Sequence, residues 1–332
     1  MARVTIDVIH PGFLTTVQDL GRAGFRQSGV SPGGALDSLS ARVANLLAGN
    51  DEGAAVLEIT LGALRLRFGE SRVVVWCGGD FEVQAAGIRL PPGRACLIRE
   101  GKEISFGGSR SGCRAWLAIS GGIDVPEILG SRSTDLRAGF GGMEGRSLRA
   151  GDRLPVGLMS TNGMAMTAEL ASRRLANWGA PARWASPAQA HPVLRIVRGA
   201  DWARFNPADV ESFLRERFVV TQDCDRMGVR LDGPELRRVD SGADLISEPI
   251  APGTIQVPSH GRPIVLLADC QTVGGYPKIA HVITVDQPIA AQLLPGDRVR
   301  FAEVSLQEAH RLLRERTEEL ERFKTGVRLY QR

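Results

Sequence analysis

The chain has 332 residues, 41 Lys and Arg against 37 Asp and Glu, a formal net charge of +4, and 39 glycines where average usage would be roughly 7%. Its length exceeds the size at which a single hydrophobic core keeps growing, so two domains are expected. Basic and acidic residues alternate without forming a basic stripe, which excludes nucleic acid, and no apolar run approaches the ~20 residues that cross a bilayer, which excludes a membrane span. Cys77, Cys96, Cys113, Cys224 and Cys270 are odd in number and scattered, without CxxC or Cys/His spacing. They read as reduced thiols of a cytoplasmic protein that holds no metal. The opening MARVTIDVIHPGF lacks the basic and then apolar stretches of a leader.

In chain order, Val4–Ile9 reads as a strand, and Asp37–Leu47 as a capped helix with Leu39, Val43, Leu46 and Leu47 on one face and Gly49 just beyond. Val56–Phe68, Val73–Cys77 and Ala115–Ile119 are short apolar or alternating runs between turn residues. The glycine-rich Ala138–Gly145 reads as a flexible loop able to close over a ligand. From Leu158 to Pro192 the composition shifts to Ala, Ser, Met and Pro with little periodicity, as in a linker. Strands resume at Val193–Val197, Ile264–Ala268 and Val299–Val304. Ser305 with Glu308 then forms a capping-box pattern ahead of Leu306, Ala309, Leu313 and Leu320, and a basic tail, Lys324 to Arg332, is expected to fray. The class is mainly β, with a domain at 1–157 carrying an inserted helix, a linker at 158–191, a second domain at 192–304, and a helix and tail at 305–332.

Two patterns occur twice. QDLGRAGFR, Gln18 to Arg26, and QDCDRMGVR, Gln222 to Arg230, share QDxxRxGxR, and LRAGDRL at 148–154 matches LLPGDRV at 293–299. Two copies of one β-rich unit, the first with insertions, is the economical reading. Gly24, Gly228, Arg26 and Arg230 read as a barrel corner ahead of a ligand contact. Gly29-Val-Ser-Pro-Gly33 fits GxSxG, but Pro32 has no N–H to offer an oxyanion, so Ser31 is a turn residue. HExxH, a phosphate-binding P-loop, a dinucleotide fingerprint and a Met-Lys-Met biotin-attachment pattern are all missing from the sequence.

The densest polar stretch follows Ile264–Ala268, which empties into Asp269, Gln271, Thr272, Gly274, Gly275, Tyr276 and Lys278. A buried strand that delivers an acid, amide, hydroxyl, phenol and amine into one Gly-Gly turn builds a site on a rigid scaffold. Asp269 and Gln271 read equally well as site residues or as a structural turn. His281, alone in an apolar run, reads as a satisfied core or interface histidine.

HPGFLTTVQDLGRAGFRQSGVSPGGALD, ARVANLLAGN, AVLEITLG, AISGGIDVPEILGSRSTD, DRMGVRLDGPEL and GTIQVPSHGRPIVLLADCQTVGGYPKIAHV with LLPGDRVRF together resemble the biotin-dependent carboxyltransferase family. Members include the C component of bacterial 5-oxoprolinase, also described as allophanate hydrolase subunit 2, and the C-terminal half of the urea carboxylase carboxyltransferase domain. An antagonist of a kinase inhibitor is a further member. The resemblance implies two cyclophilin-like β-barrels and two partner proteins, one like the B component of 5-oxoprolinase and one like its A component, the lactam-utilisation protein. It implies ATP-dependent opening of the cyclic amide 5-oxo-L-proline to L-glutamate, with ATP used by the complex and no biotin attached to this chain. Asp269, Lys278 and Tyr276 are then the catalytic candidates, and Arg226, Gln256, Gln271 and Thr272 the substrate-binding ones. A urea-type carboxyltransferase component and a regulatory antagonist of a kinase inhibitor are the alternatives.

Overall fold

The computed structural model describes residues 4–240 and 245–330. Contacts divide the chain into two units. The first takes residues up to Arg22, Gly33–Ala188 and those from Glu321 onward; the second takes Ala23–Pro32 and Gln189–Leu320.

The first unit is a nine-stranded sheet built from β1 (Thr5–Pro11), β2 (Leu14–Gln18), β3 (Val56–Thr60), β4 (Leu64–Phe68), β5 (Arg72–Ala85), β6 (Ile88–Arg89), β7 (Cys96–Ile98), β8 (Glu103–Ile119) and β9 (Arg153–Pro155). Its order is β2-β3-β8-β4-β1-β9, with β5 paired to β6, β7 and β8. Inward residues alternate along the strands, as Leu64, Leu66 and Phe68 do on β4, and Trp76, Phe81 and Phe106 meet edge to face at the centre of the core. The expected run Val56–Phe68 is two strands broken at Leu61–Ala63, each paired with β8 and not with the other. Val73–Cys77 and Ala115–Ile119 are parts of much longer strands, because Gly78 sits in a bulge within β5 rather than at its end. A Cβ there would lie 2.4 Å from the Arg114 carbonyl oxygen. The open edge at β2 is covered where Thr134 and Leu148 donate to the Val17 and Thr15 carbonyls.

Helix α1 (Ser38–Leu47) forms as read, with the Asp37 carboxylate accepting from Ser40 N at 2.9 Å. The stretch expected as a linker does not hang free. It carries α2 (Thr161–Arg173), which buries Met166 and Leu170, and α3 (Ala182–Ala185), and it packs on the first unit through Ala176 N to Ala95 O and Ala180 N to Gly93 O. Its apolar stripe is too narrow among Ala, Ser and Met to register as periodicity.

The second unit is a closed barrel of β10 (Val193–Arg198), β11 (Phe218–Val220), β12 (Gly228–Asp232), β14 (Thr254–Gln256), β15 (Ile264–Leu266), β17 (Lys278–Val282) and β18 (Arg298–Glu303), in the order β10-β17-β14-β15-β12-β11-β18. β13 (Glu248–Pro249) and β16 (Val273–Gly274) pair separately. Closure comes from the parallel pairing of β10 with β18, Val193 to Arg300 through Ile196 to Glu303. Phe213 of α4 (Pro207–Arg215) stacks on Phe301 at 4.5 Å and meets Phe218. Short α5 (Gln287–Ala290) precedes the last strand, and α6 (Leu306–Tyr330) follows it. At its start Ser305 Oγ accepts from Glu308 N, while the Glu308 carboxylate pairs with Arg311 instead of closing the box. α6 continues to Tyr330, so the tail expected to fray from Lys324 is helical: Lys324 bonds to Glu52, and Phe323 packs against Trp184. Residues 331 and 332 lie outside the described residues.

The mainly-β class is what the structure has, although only the second unit closes into a barrel. The LxxGDR turns are the same device in both units. Asp152 and Asp297 each accept at the carboxylate from the N–H three residues back, Arg149 N and Leu294 N. Gly151 and Gly296 each donate to a strand carbonyl, Val8 O and Val220 O, and those valines donate back to the two aspartate carbonyls. With these turns matched, the two QDxxRxGxR stretches fall at different places. The turns match β1 with β11 and so β2 with β12; Gln18 is the last residue of β2, whereas Gln222–Arg230 begins before β12 and runs into its first three residues. The nonapeptide likeness is therefore not a shared corner of two copies.

What QDLGR does in the first unit is tie down a loop. The Asp19 carboxylate accepts from Gly21 N, Arg132 N and the hydroxyls of Ser131 and Ser133 at 2.6–2.8 Å. The buried Arg22 guanidinium donates to Ser133 O and lies 4.7 Å from the Phe140 ring centroid. The Ala138–Gly145 loop, expected to be flexible, is instead packed: Gly142 N reaches Arg132 O and Gly145 N reaches Gly141 O.

Gly151 and Gly296 hold φ of 87° and 92° with open space where a Cβ would stand. Replacing either by Ala is expected to cost about 1–2 kcal/mol from backbone strain alone, and nearly the same in both. Urea denaturation of the two variants checks this.

Candidate functional site

β12 and β15 pair antiparallel from Gly228↔Leu266 to Arg230↔Ile264. The ladder runs past both strand ends, with Leu267 N donating to Met227 O and Asp269 N to Arg226 O, so Arg226 and Asp269 face each other. The Asp225 carboxylate accepts from Met227 N and Gly228 N, an Asx turn that aims Arg226 inward. Its guanidinium meets Asp269 bidentately, Nε to Oδ2 at 2.7 Å and a terminal nitrogen to Oδ1 at 3.0 Å, with both residues buried. One acceptor position on each Asp269 oxygen is thereby occupied, which fixes the carboxylate's direction.

Beyond Asp269 the turn is stitched to its surroundings by Ile250 N to Thr272 O at 3.0 Å and by the β13–β16 pair. Gly274 is where two amide side chains converge. A Cβ there would stand 2.9 Å from Gln256 Nε2, 3.1 Å from Ile250 Cδ1 and 3.5 Å from Gln271 Nε2, so these side chains close directly over the glycine backbone. Gln256, fully buried, donates to the Tyr276 carbonyl at 3.3 Å, and the Tyr276 side chain is half-exposed. Lys278 begins β17 opposite Gln256, with Nζ bonded to Glu248 and 3.9 Å from Asp201, whose carboxylate also takes Lys278 N at 2.9 Å. His281 shares a bond with Thr254 Oγ1 at 3.2 Å, as expected of a satisfied histidine. Burial, and then the Lys278 charge, push its pKa down.

The arm Ala23–Pro32 belongs to this unit and completes the turn from outside the barrel. Ser31 Oγ donates to Cys270 O at 2.8 Å. Burial raises the Cys270 thiol to about 11, against the opposing charge of Arg26.

The structure thus gathers Arg226 with Asp269, and Gln256 and Gln271 at Gly274, with Thr272 on the same turn, while Tyr276 gives Gln256 its backbone carbonyl. It commits Lys278 to Glu248 and Asp201. Sequence reading missed those two carboxylates, the part played by the arm, and a cleft of about 1,030 Å³ walled in part by Gly275 and Tyr276 of the turn and by Arg230, Arg238, His260 and Arg262. Pro258-Ser-His-Gly-Arg-Pro263, polar residues framed by two prolines, was the available signal for the cleft.

The second unit thus presents a polar Gly-Gly turn beyond the end of a barrel strand. Residues 28–303 match the family described as carboxyltransferase domain, subdomain A and B, and the chain belongs to that family. It is 39% identical over 304 residues to the C component of 5-oxoprolinase from Escherichia coli, covering 92% of this chain and 93% of the relative. It is 31% identical to urea amidolyase of Lachancea kluyveri over 96% of this chain and 18% of that one. Among solved structures, Kluyveromyces lactis urea carboxylase matches with a TM-score of 0.88 at 28% identity, over 98% of this chain and 30% of that chain.

Arg226→Ala strands the buried Asp269 carboxylate and is expected to cost about 3–5 kcal/mol in denaturant unfolding. A loss under ~1 kcal/mol would show the pair to be solvated. Because the folded state lowers the His281 pKa from 6.5, the unfolded state binds the extra proton first as pH falls. His281 therefore contributes a loss of stability as pH drops below about 6.5, levelling off below the folded pKa. Thermal melts of His281→Gln against wild type between pH 8 and 5 are expected to show a shallower acid decline in the variant.

Proposed function

We propose that the chain is the C-type component of a multi-protein 5-oxoprolinase, which hydrolyses 5-oxo-L-proline to L-glutamate with ATP, working with a B-type and an A-type partner. The observation that carries this reading is the 39% identity to the C component of the E. coli enzyme, which spans more than nine-tenths of both chains. Opening the lactam adds water across an amide C–N bond, a poor electrophile that ATP activates at its oxygen. Any sequence able to hold ATP phosphates would then lie in a partner.

In this reading the turn holds the ring. Gln256 and Gln271 recognise the lactam amide, which needs a donor and an acceptor side by side. Asp269, clamped by Arg226, serves as a fixed orienting charge for that amide or for the attacking water, and Tyr276 offers a hydroxyl at the rim. Lys278 holds the β13 segment through Glu248. A second reading, a carboxyltransferase component that receives a carboxyl group from biotin carried elsewhere, draws on the 0.88 TM-score to urea carboxylase.

Mixed with A-type and B-type proteins, the chain is expected to support ATP-dependent glutamate release from 5-oxo-L-proline, insensitive to avidin and independent of bicarbonate. Gly274→Ala should lower kcat/KM at least ten-fold with the complex intact. Urea- and bicarbonate-dependent ATP consumption blocked by avidin, without glutamate release, would favour the second reading.

A further inference from the structure

Three cationic side chains belong to the Asp269–Lys278 turn or flank it, and two are committed. Arg226 gives two nitrogens to Asp269, and Lys278 sits between Glu248 and Asp201. The third, Arg26, is half-buried, and among the described residues its side chain makes no hydrogen bond or ion pair. It rides on the arm Ala23–Pro32, which the sheet of the first unit does not include.

The arm is held in one shape. Phe25 O accepts from Ser28 N and Val30 N, Arg26 O accepts from Gly29 N, and Gly29 takes a left-handed φ of 78° to make that turn. Ser31 Oγ then fixes the arm to Cys270 O, the residue between Asp269 and Gln271. Arg26 is thus carried five positions from a bond onto the turn itself, and its charge is felt at Cys270. A guanidinium partly withdrawn from water without a counter-charge is poised for an anion, and its fork matches a carboxylate in the bidentate way that Arg226 already uses on Asp269.

We infer that Arg26, delivered by this arm, is the anion anchor of the site and takes the carboxylate of the small amide substrate; the substrate class rests on the function proposed above. Arg226, the substrate-binding candidate, and Lys278, the catalytic candidate, set the shape of the turn. The GFR end of QDLGRAGFR is then the part that serves a ligand, while its QDLGR end holds the first unit's loop.

Titration of the full chain with 5-oxo-L-proline and with 2-pyrrolidinone, the same ring without the carboxylate, reads the anchor directly. Wild type is expected to bind the acid at least ten-fold more tightly than the neutral ring. Arg26→Ala removes that preference and Arg26→Lys keeps part of it, both with unchanged circular dichroism and Tm. A wild-type chain with no preference for the acid, or an Arg26→Ala chain that retains it, overturns the proposal. Glutamate release by the wild-type complex is scored separately, so a chain that binds the acid through Arg26 in a complex that never opens the ring refutes the hydrolase reading and leaves the anchor standing.

Discussion

A guanidinium and a carboxylate can leave water together but not singly, and the second unit is organised around one such pair. Isolated, either charge would cost several kcal/mol to bury; joined bidentately, they nearly balance. Arg226 and Asp269 meet because the β12–β15 ladder continues beyond both strands and because Asp225 turns the chain just before the arginine. Once Asp269 is fixed, the direction of everything after it is fixed as well: Cys270 toward the arm, Thr272 toward Ile250, and Gly274 against the two glutamine amides. The pair contributes little net stability, and its use is to specify one position for the turn.

The glycine of that turn and those of the LxxGDR turns play different physical parts. Gly274 is required by what lies beside it, since any side chain would displace Gln256. Gly151 and Gly296 are required by backbone angle, with empty space around them. The first kind lets side chains close over the backbone, and the second lets a sheet reverse sharply. The high glycine content therefore serves both packing and turning.

Much of the fold was legible because strand alternation is a local signal. Leu64 to Phe68, Val193 to Arg198 and the helix after Asp37 each show their buried face in a few residues. What stayed hidden depended on distant partners. The glycines of β5 and β8 read as strand ends, although opposite Ala115 Gly78 merely makes a bulge. The 158–191 stretch read as a linker because many of its contacts are backbone bonds to residues 93–97. The site was legible as a cluster, since Asp269 to Lys278 are consecutive, but the pairing within it was not. Nothing in the sequence says that Glu248 and Asp201 take Lys278, or that Ser31 reaches Cys270 across more than two hundred residues. The two QDxxRxGxR stretches are the converse case, alike in letters and different in place, with Asp19 binding serines in one and Arg226 binding an aspartate in the other.

The most direct measurement is a crystal structure of the chain with its partners and 5-oxo-L-proline bound. Density for the ring is expected over Gly274, with its amide at Gln256 and Gln271. Density confined to the cleft beyond Tyr276, with the Gly274 backbone uncovered, would contradict a ligand site on this turn.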